Sequence, residues 1–182
     1  MDTFKPVEDS QTSLSELMVP NYANFGGKVH GGVLLSLMDK VAYACATKHA
    51  GNYCVTVSVD GVDFLNPVEV GDQLTLKASV NFVGKSSLVV GIRVEAENIK
   101  TREVRHTNSS YFTMVAMDEH RKPAAVPGLE LMNEREVRRF VEASYRKQLK
   151  KEKQTAFAEL KLEMRLSNLE EVLEGFNCRL GF

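Results

Sequence analysis

The stretch Asn21–Asp39, NYANFGGKVHGGVLLSLMD, places four glycines, two asparagines and a histidine directly before an apolar run that ends in an aspartate. From Gly31 onward the apolar positions Val33, Leu34, Leu37, Met38, Val41, Ala44 and Cys45 recur at three and four residues, the period of an α-helix. Gly51 stops the pattern. Only Asp39, Lys40 and Lys48 carry formal charge along it, so most of the helix circumference is expected to be covered.

Beyond Asn52 the texture changes to β-branched and aromatic residues in short runs separated by turn signals. YCVTVSVDGVDFL, QLTLKASVNFVG, SSLVVGIRVEAEN and RHTNSSYFTMVAMD predict four strands, and in QLTLKASV the alternation of Leu74, Leu76, Ala78 and Val80 with polar neighbours predicts one wet face. The connections VGKS and NIKTRE are short enough for hairpins, so pairing is antiparallel. TSLSELMVP supplies a further strand ahead of the glycine loop. The order is one strand, a glycine loop, one long helix and four antiparallel strands, an α+β layer in which the sheet wraps the helix. Such a sheet leaves its edges open, which predicts a dimer joined edge to edge.

At 182 residues the chain accommodates one domain with a sizeable core and an appendage. With 23 Lys+Arg against 24 Asp+Glu, a net charge of -1, there is no global electrostatic case for a nucleic-acid partner. Cys45, Cys54 and Cys178 are widely spaced and odd in number, which argues against a disulfide framework and a cysteine zinc site. The opening MDTFKPVEDS lacks the features of a secretory leader, and no apolar window is long enough to span a membrane. The expectation is a soluble cytoplasmic protein with no membrane partner.

Gly31 and Gly32 stand where the helix begins and leave its first backbone N–H groups unobstructed, at the positive end of the helix dipole. Such donors suit a phosphate or the oxyanion of an attacked carbonyl equally well. The two glycine-rich nucleotide fingerprints are absent. Asp39 follows about two turns later, roughly 12 Å along the axis, out of reach of the first-turn donors of its own helix. A second subunit with its helix packed antiparallel would bring the carboxylate of one chain beside the glycine loop of the other. The plainer reading is a solvent-facing helical charge. His30 is read as a hydrogen-bonded loop residue before a general base. The four histidines show neither metal-ligand spacing nor a nucleophile signature, so no metal is expected.

NFGGKVHGGVLLSLMD has the pattern N-x-x-G-x-x-x-G-G with an acid eight residues after the first glycine of the pair, filled by Asn24, Gly27, Gly31, Gly32 and Asp39. It resembles the hotdog-fold acyl-CoA thioesterases, in the acyl-CoA hydrolase branch of brain-type and small bacterial enzymes. TVSVDGVDFLNPVEVGDQL and VNFVGKSSLVVGIRVEAE are similar to that branch's second and third signature segments, so the resemblance runs from about Ser13 to Gly128. It implies a long helix wrapped by an antiparallel sheet, a dimer with a ten-stranded sheet, and hydrolysis of a fatty acyl-CoA to free acid and CoA with no metal or other cofactor.

Carried onto this chain, the resemblance makes Asp39 the general base on water or the nucleophile, and Asn24 the asparagine that works with it from the partner chain. Gly32, with His30 and Gly31 around it, would present backbone N–H to the oxyanion. The pantetheine arm would pass along Val57, Ser58, Val59 and Asp60 and the turn Gly84, Lys85, Ser86 and Ser87, with Lys85, Arg121 and Lys122 meeting the phosphates. Asn24, His30 and Asp39 also have the spacing of phenylacetyl-CoA-type thioesterases, whose histidine takes part in the site. The resemblance leaves room for two further functions on the same fold, a non-catalytic acyl-CoA-sensing hotdog protein and a hydratase or dehydratase. The nine residues from His30 to Asp39 favour hydrolysis.

The thioesterase domain is placed at residues 1–130 and a charged helical extension at 131–182. In the extension Leu162, Leu166, Leu169, Leu173 and Phe176 follow a heptad rhythm. One reading is an amphipathic helix folded on its own domain. The other is an assembly device that builds a hexamer, a trimer of dimers.

Overall fold

The structure, a computed structural model, describes residues 4–166 and 169–181, without the side chains at 165, 166 and 169. Its centre is helix α1, Gly31–Ala50, closed at its C-terminus by Gly51 in the left-handed conformation (φ 71°) with Gly51 N–H donating to Thr47 O. Leu34, Leu37, Met38, Val41, Ala42, Cys45 and Ala46 are buried along one broad side. Strands β2 (Thr12–Leu17), β3 (Tyr53–Val59), β4 (Asp72–Val83), β5 (Ser87–Asn98) and β6 (Val104–Met117) form one antiparallel sheet in the order β2-β4-β5-β6-β3. Each strand turns alternate residues onto the helix: Leu74, Leu76 and Val80 from β4, Leu88, Val90 and Val94 from β5, Phe112 and Met114 from β6. The predicted α+β architecture is the one observed: a five-stranded antiparallel sheet curled around a long helix, with a helical extension.

The predicted strand through Leu65 stops at Val59, and residues beyond Asp60 run as a loop to β4. Two short strands carry no sequence signal of their own. β1 (Phe4–Pro6) pairs in parallel with β7 (Gly128–Glu130), joining segments more than a hundred residues apart. Lys5 Nζ donates to His49 O and His49 Nε2–H to Pro127 O, both at 2.9 Å, so the last turn of α1 holds this pair of strands in place.

Helix α2, Glu134–Leu166, begins with a capping box: Asn133 Oδ1 accepts from Glu136 N–H, and the Glu136 carboxylate accepts from Met132 N–H and Asn133 Nδ2. Two compact units divide the chain, one through Val141 and one from Glu142. The first unit takes in the start of α2, where the Phe140 ring lies 5.0 Å from that of Phe82. In the second, α2 exposes Tyr145, Leu149, Phe157, Leu160, Leu162 and Met164. The single helical seam expected through Phe176 does not form: α3 covers only Leu169–Val172, and Leu173 and Phe176 follow in turns. The side chains of Leu166 and Leu169 lie outside the described residues. No described helix is long and apolar enough to cross a membrane.

Candidate active site

The loop before α1 is built around Asn24, whose Oδ1 accepts from Gly26 N–H (2.8 Å) and Lys28 N–H (3.2 Å). This fixes a tight turn in which Gly27 takes φ 77°. The acceptor oxygen is thereby occupied, while the exposed amide nitrogen is left to donate outward. Val29 N–H to Val68 O and His30 N–H to Tyr22 O then anchor the loop to the body.

His30 is the N-cap of α1, its Nδ1 accepting from Gly32 N–H at 2.9 Å. The Gly32 donor that the resemblance assigned to an oxyanion is therefore taken within the chain. Gly31 N–H makes no hydrogen bond among the described residues. The Phe64 ring lies over the helix start, where a Cβ at position 31 would sit 3.2 Å from it, a tight contact that the half-exposed ring would have to yield to.

Asp39 stands exposed two turns into α1, and Thr56 Oγ1–H donates to its Oδ1 at 2.6 Å. The same hydroxyl lies 3.3 Å from Met114 Sδ. Asp39 Oδ2 has no hydrogen-bond partner among the described residues. Thr56 was missed by sequence reasoning, although a signal exists: Cys54 is buried under the helix, and strand alternation puts Thr56 two residues on, on the same side. Just beyond it the register of β3 against β6 shifts between Thr56 and Ser58, a bulge that changes the phase of the edge strand.

β3 is an edge of the sheet, and beside Asp39 the surface is apolar: Leu35 and Tyr43 from α1, Tyr53, Val57 and Val59 from β3 are all exposed. Asn24 and His30 do not meet Asp39 within one chain. The cavity beside the helix start is lined by Tyr22, His30, Gly32, Ser36 and Lys40, and Asp39 is not part of its wall.

The positions expected near CoA fall into two groups. Gly84, Lys85, Ser86 and Ser87 form the β4–β5 turn, and Lys85 O and Ser86 O accept from Val126 and Ala116, which brings the turn beside the loop carrying Arg121 and Lys122. Val57, Ser58, Val59 and Asp60 lie farther along the β3 edge, where Asp60 N–H donates to Tyr111 O. The glycine loop lies at the other end of the sheet, its Lys28 paired with Glu69 just ahead of β4. The twelve residues of β4 separate it from the Gly84–Ser87 turn.

Thiol chemistry is not available on α1 or β3: burial pushes the Cys45 thiol up to about 12 and raises that of Cys54 as well.

Residues 26–103 match the thioesterase superfamily. Protein VdlD of Helicobacter pylori (strain ATCC 700392 / 26695) is 49% identical over 148 residues, covering 81% of this chain and 84% of its own. A crystal structure of an apo-hexameric acyl-CoA thioesterase superposes with TM-score 0.80 at 39% identity, over 82% of this chain and 96% of that one. An acyl-CoA hydrolase from Staphylococcus aureus, solved with butyryl coenzyme A, coenzyme A and coenzyme A disulfide, superposes with TM-score 0.78 at 29% identity, over 90% of this chain and 99% of that one. Alanine mutants of the same enzyme have been solved at an asparagine, an aspartate and a threonine. These three follow one another at the spacing of Asn24, Asp39 and Thr56, fifteen and then seventeen residues. On these likenesses and its fold, the chain belongs to the hotdog-fold acyl-CoA thioesterases of the thioesterase superfamily.

Proposed function

We propose that the protein hydrolyses fatty acyl-CoA thioesters to free acid and CoA in the cytoplasm, using Asp39 of one chain and Asn24 of a second, with no metal or cofactor beyond the substrate's own CoA. The observation that carries this reading is the Thr56–Asp39 hydrogen bond. It fixes one carboxylate oxygen and leaves the other without a partner among the described residues, on an exposed residue beside an apolar surface, as a base or nucleophile requires.

As a base, Asp39 takes a proton from water while the water oxygen attacks the thioester carbonyl. The oxyanion is held by Asn24 Nδ2 and by the unpartnered Gly31 N–H at the start of the partner's helix, where the dipole favours negative charge. Collapse of the tetrahedral intermediate breaks the C–S bond, and the thiolate recovers the proton from Asp39. As a nucleophile, Asp39 would expel CoA thiolate to give a mixed anhydride, which water then opens to the acid. Both routes have the same balance: thioester and water in, acid and thiol out.

Three features support a site shared between chains: the separation of Asp39 from the glycine loop within one chain, the open β3 edge, and the apolar skin around Asp39. In the assembly we propose, β3 edges join two five-stranded sheets into one of ten, Val57–Asp60 and the Gly84–Ser87 turn face the pantetheine arm, and Lys85, Arg121 and Lys122 face the phosphates. Three such dimers form a hexamer, the state named for one of the structural neighbours. The exposed apolar residues of α2 are the surface available to hold them together.

The phenylacetyl-CoA reading would bring in His30, whose Nδ1 is here occupied in capping α1. Release of free CoA measured across acetyl, butyryl, octanoyl, palmitoyl and phenylacetyl thioesters tests the proposal. Turnover of straight-chain substrates above phenylacetyl-CoA supports it. A preference for phenylacetyl-CoA would replace it with an aryl thioesterase, and tight binding without turnover would make the protein an acyl-CoA sensor.

A further inference from the structure

Helix α2 runs for 33 residues with neither glycine nor proline, about 50 Å of continuous helix. Along it Val141, Tyr145, Leu149, Leu160 and Met164 are each between 40% and 60% exposed, and Ala156 is exposed among them. At about 100° per residue these six positions fall within about 140° of the circumference and make one apolar row. The row is distinct from the leucine heptad that begins at Leu162. An apolar row left on the outside of a helix is unfavourable in water and marks an interaction surface.

The row is symmetric. Val141 and Met164, Tyr145 and Leu160, Leu149 and Ala156 lie at equal distances on either side of a point between Glu152 and Lys153. A second α2 laid alongside in the opposite direction, midpoint on midpoint, therefore sets every apolar position of the row against another. Glu152 interrupts the row at its centre, and in this register it faces Lys153 of the second copy. A polar position inside an apolar seam specifies register in just this way.

The charges select the direction. Residues 138–151 carry six cations and one acid, Glu142, whereas residues 152–164 carry three acids, Glu152, Glu159 and Glu163, and two cations. A parallel pair would lay the basic half on a basic half. An antiparallel pair lays it on the acidic half and brings Arg146 opposite Glu159 on each side of the midpoint. Glu142 and Glu163 also come opposite one another, but each is already engaged within its own chain. The three acids, one of them inside the row, disfavour an anionic lipid surface as the occupant.

We propose that α2 of one chain pairs antiparallel with α2 of a chain from another dimer, through the row from Val141 to Met164, and that these pairs join the dimers. The inference rests on the assembly proposed above and supplies its contact. Such a pair is isologous, as is a β3 edge contact, so the two alternate around a closed ring, three of each in a hexamer.

Cysteine cross-linking and mass measurement of the full chain test the pairing. In Leu149→Cys/Ala156→Cys, with the exposed Cys178 replaced by serine, oxidation is expected to join position 149 of one chain to position 156 of another, as peptide mass spectrometry reads. The two positions lie about 10 Å apart along one helix, too far for a disulfide within a chain. Leu149→Glu/Leu160→Glu, whose helix circular dichroism verifies, is expected to lower the mass seen by light scattering from hexamer to dimer with CoA release per site kept. Arg146→Glu and Glu159→Lys are each expected to shift the population severalfold toward dimer at low salt, and the two together to restore it. These positions are about 20 Å apart along the helix, so only a contact between chains gives that rescue. Links from 149 to 149, or no rescue by the double swap, overturn the antiparallel register. A hexamer without the 149 to 156 link, or one that keeps its mass in Leu149→Glu/Leu160→Glu, overturns the pairing and leaves the assembly reading standing. A wild-type protein that stays dimeric overturns both, and its sedimentation with phosphatidylserine vesicles through Leu149 and Leu160 would give the row to a lipid surface.

Discussion

The two ends of α1 carry a histidine each and treat it in opposite ways. At the C-terminal end His49 is buried, its Nε2–H donates to Pro127 O, its own carbonyl accepts from Lys5, and Gly51 closes the helix. At the N-terminal end His30 is exposed, Asn24 offers its amide to solvent, and among the described residues Gly31 N–H has no partner and Asp39, two turns on, has one oxygen held and one without a partner. One end is closed and buried, with His49 Nε2 and its carbonyl bonded to hold the β1–β7 pair against the body while His49 Nδ1 and Thr47 Oγ1 are buried without a partner. The other keeps donors and a carboxylate available beside an apolar, unpaired sheet edge. Chemistry is expected where fixed polar groups are also open to solvent and substrate, and a structural role where they are buried, as His49 is.

Asp39→Asn breaks the comparison most severely. It preserves shape and the contact to Thr56 while removing the proton acceptor, so kcat is expected to fall by roughly 10² or more with the melting temperature little changed. Wild-type turnover in that variant would remove Asp39 from the chemistry.

Thr56→Ala sharpens it. Losing one charge-assisted hydrogen bond that aims the carboxylate is worth about 1.5 kcal/mol, so kcat is expected to drop by about tenfold with KM little moved. Thr56→Ser, which keeps the hydroxyl, should recover most of the loss. Equal defects in Ala and Ser would make the methyl group, and so packing, the cause.

Much of this layout was legible in the sequence because it follows from periodicity. Val33 to Cys45 repeat at helical spacing up to a glycine, and Leu74 to Val80 alternate up to a hairpin, so α1 and β2–β6 follow from local pattern. Contacts between distant segments were not legible. β1 and β7 have three residues each and pair across most of the chain. Thr56 matters only because β3 lies beside α1, a tertiary fact. The Gly32 donor is lost to a side chain two residues away, a matter of rotamer that spacing does not encode. The heptad rhythm of the extension ran past the end of the helix, because leucine spacing does not register the turns from Leu173 onward.

The closed end of α1 yields a smaller effect, on stability. Burial lowers the pKa of His49, so the folded protein keeps it neutral while an unfolded chain protonates it near pH 6.5. The unfolded state then binds more protons, so this contribution is intact above about pH 6.5 and is lost as pH falls from there toward the folded pKa, at up to about 1.4 kcal/mol per pH unit. Denaturant midpoints between pH 7.5 and 5 should show a shallower acid loss in His49→Gln, whose amide can still donate to Pro127. An unchanged slope in that variant would assign the acid sensitivity elsewhere.

The central claim is that the open end of one α1 completes the carboxylate site of another, and subunit mixing tests it directly. Asn24→Ala and Asp39→Asn proteins, each inactive alone, are mixed and allowed to exchange, with exchange followed by mass-tagged subunits. Random pairing makes half the dimers hybrids, each with one intact site, so activity is predicted to return to about a quarter of wild type. No recovery, with exchange demonstrated, would place both residues in the same chain's site and contradict the account.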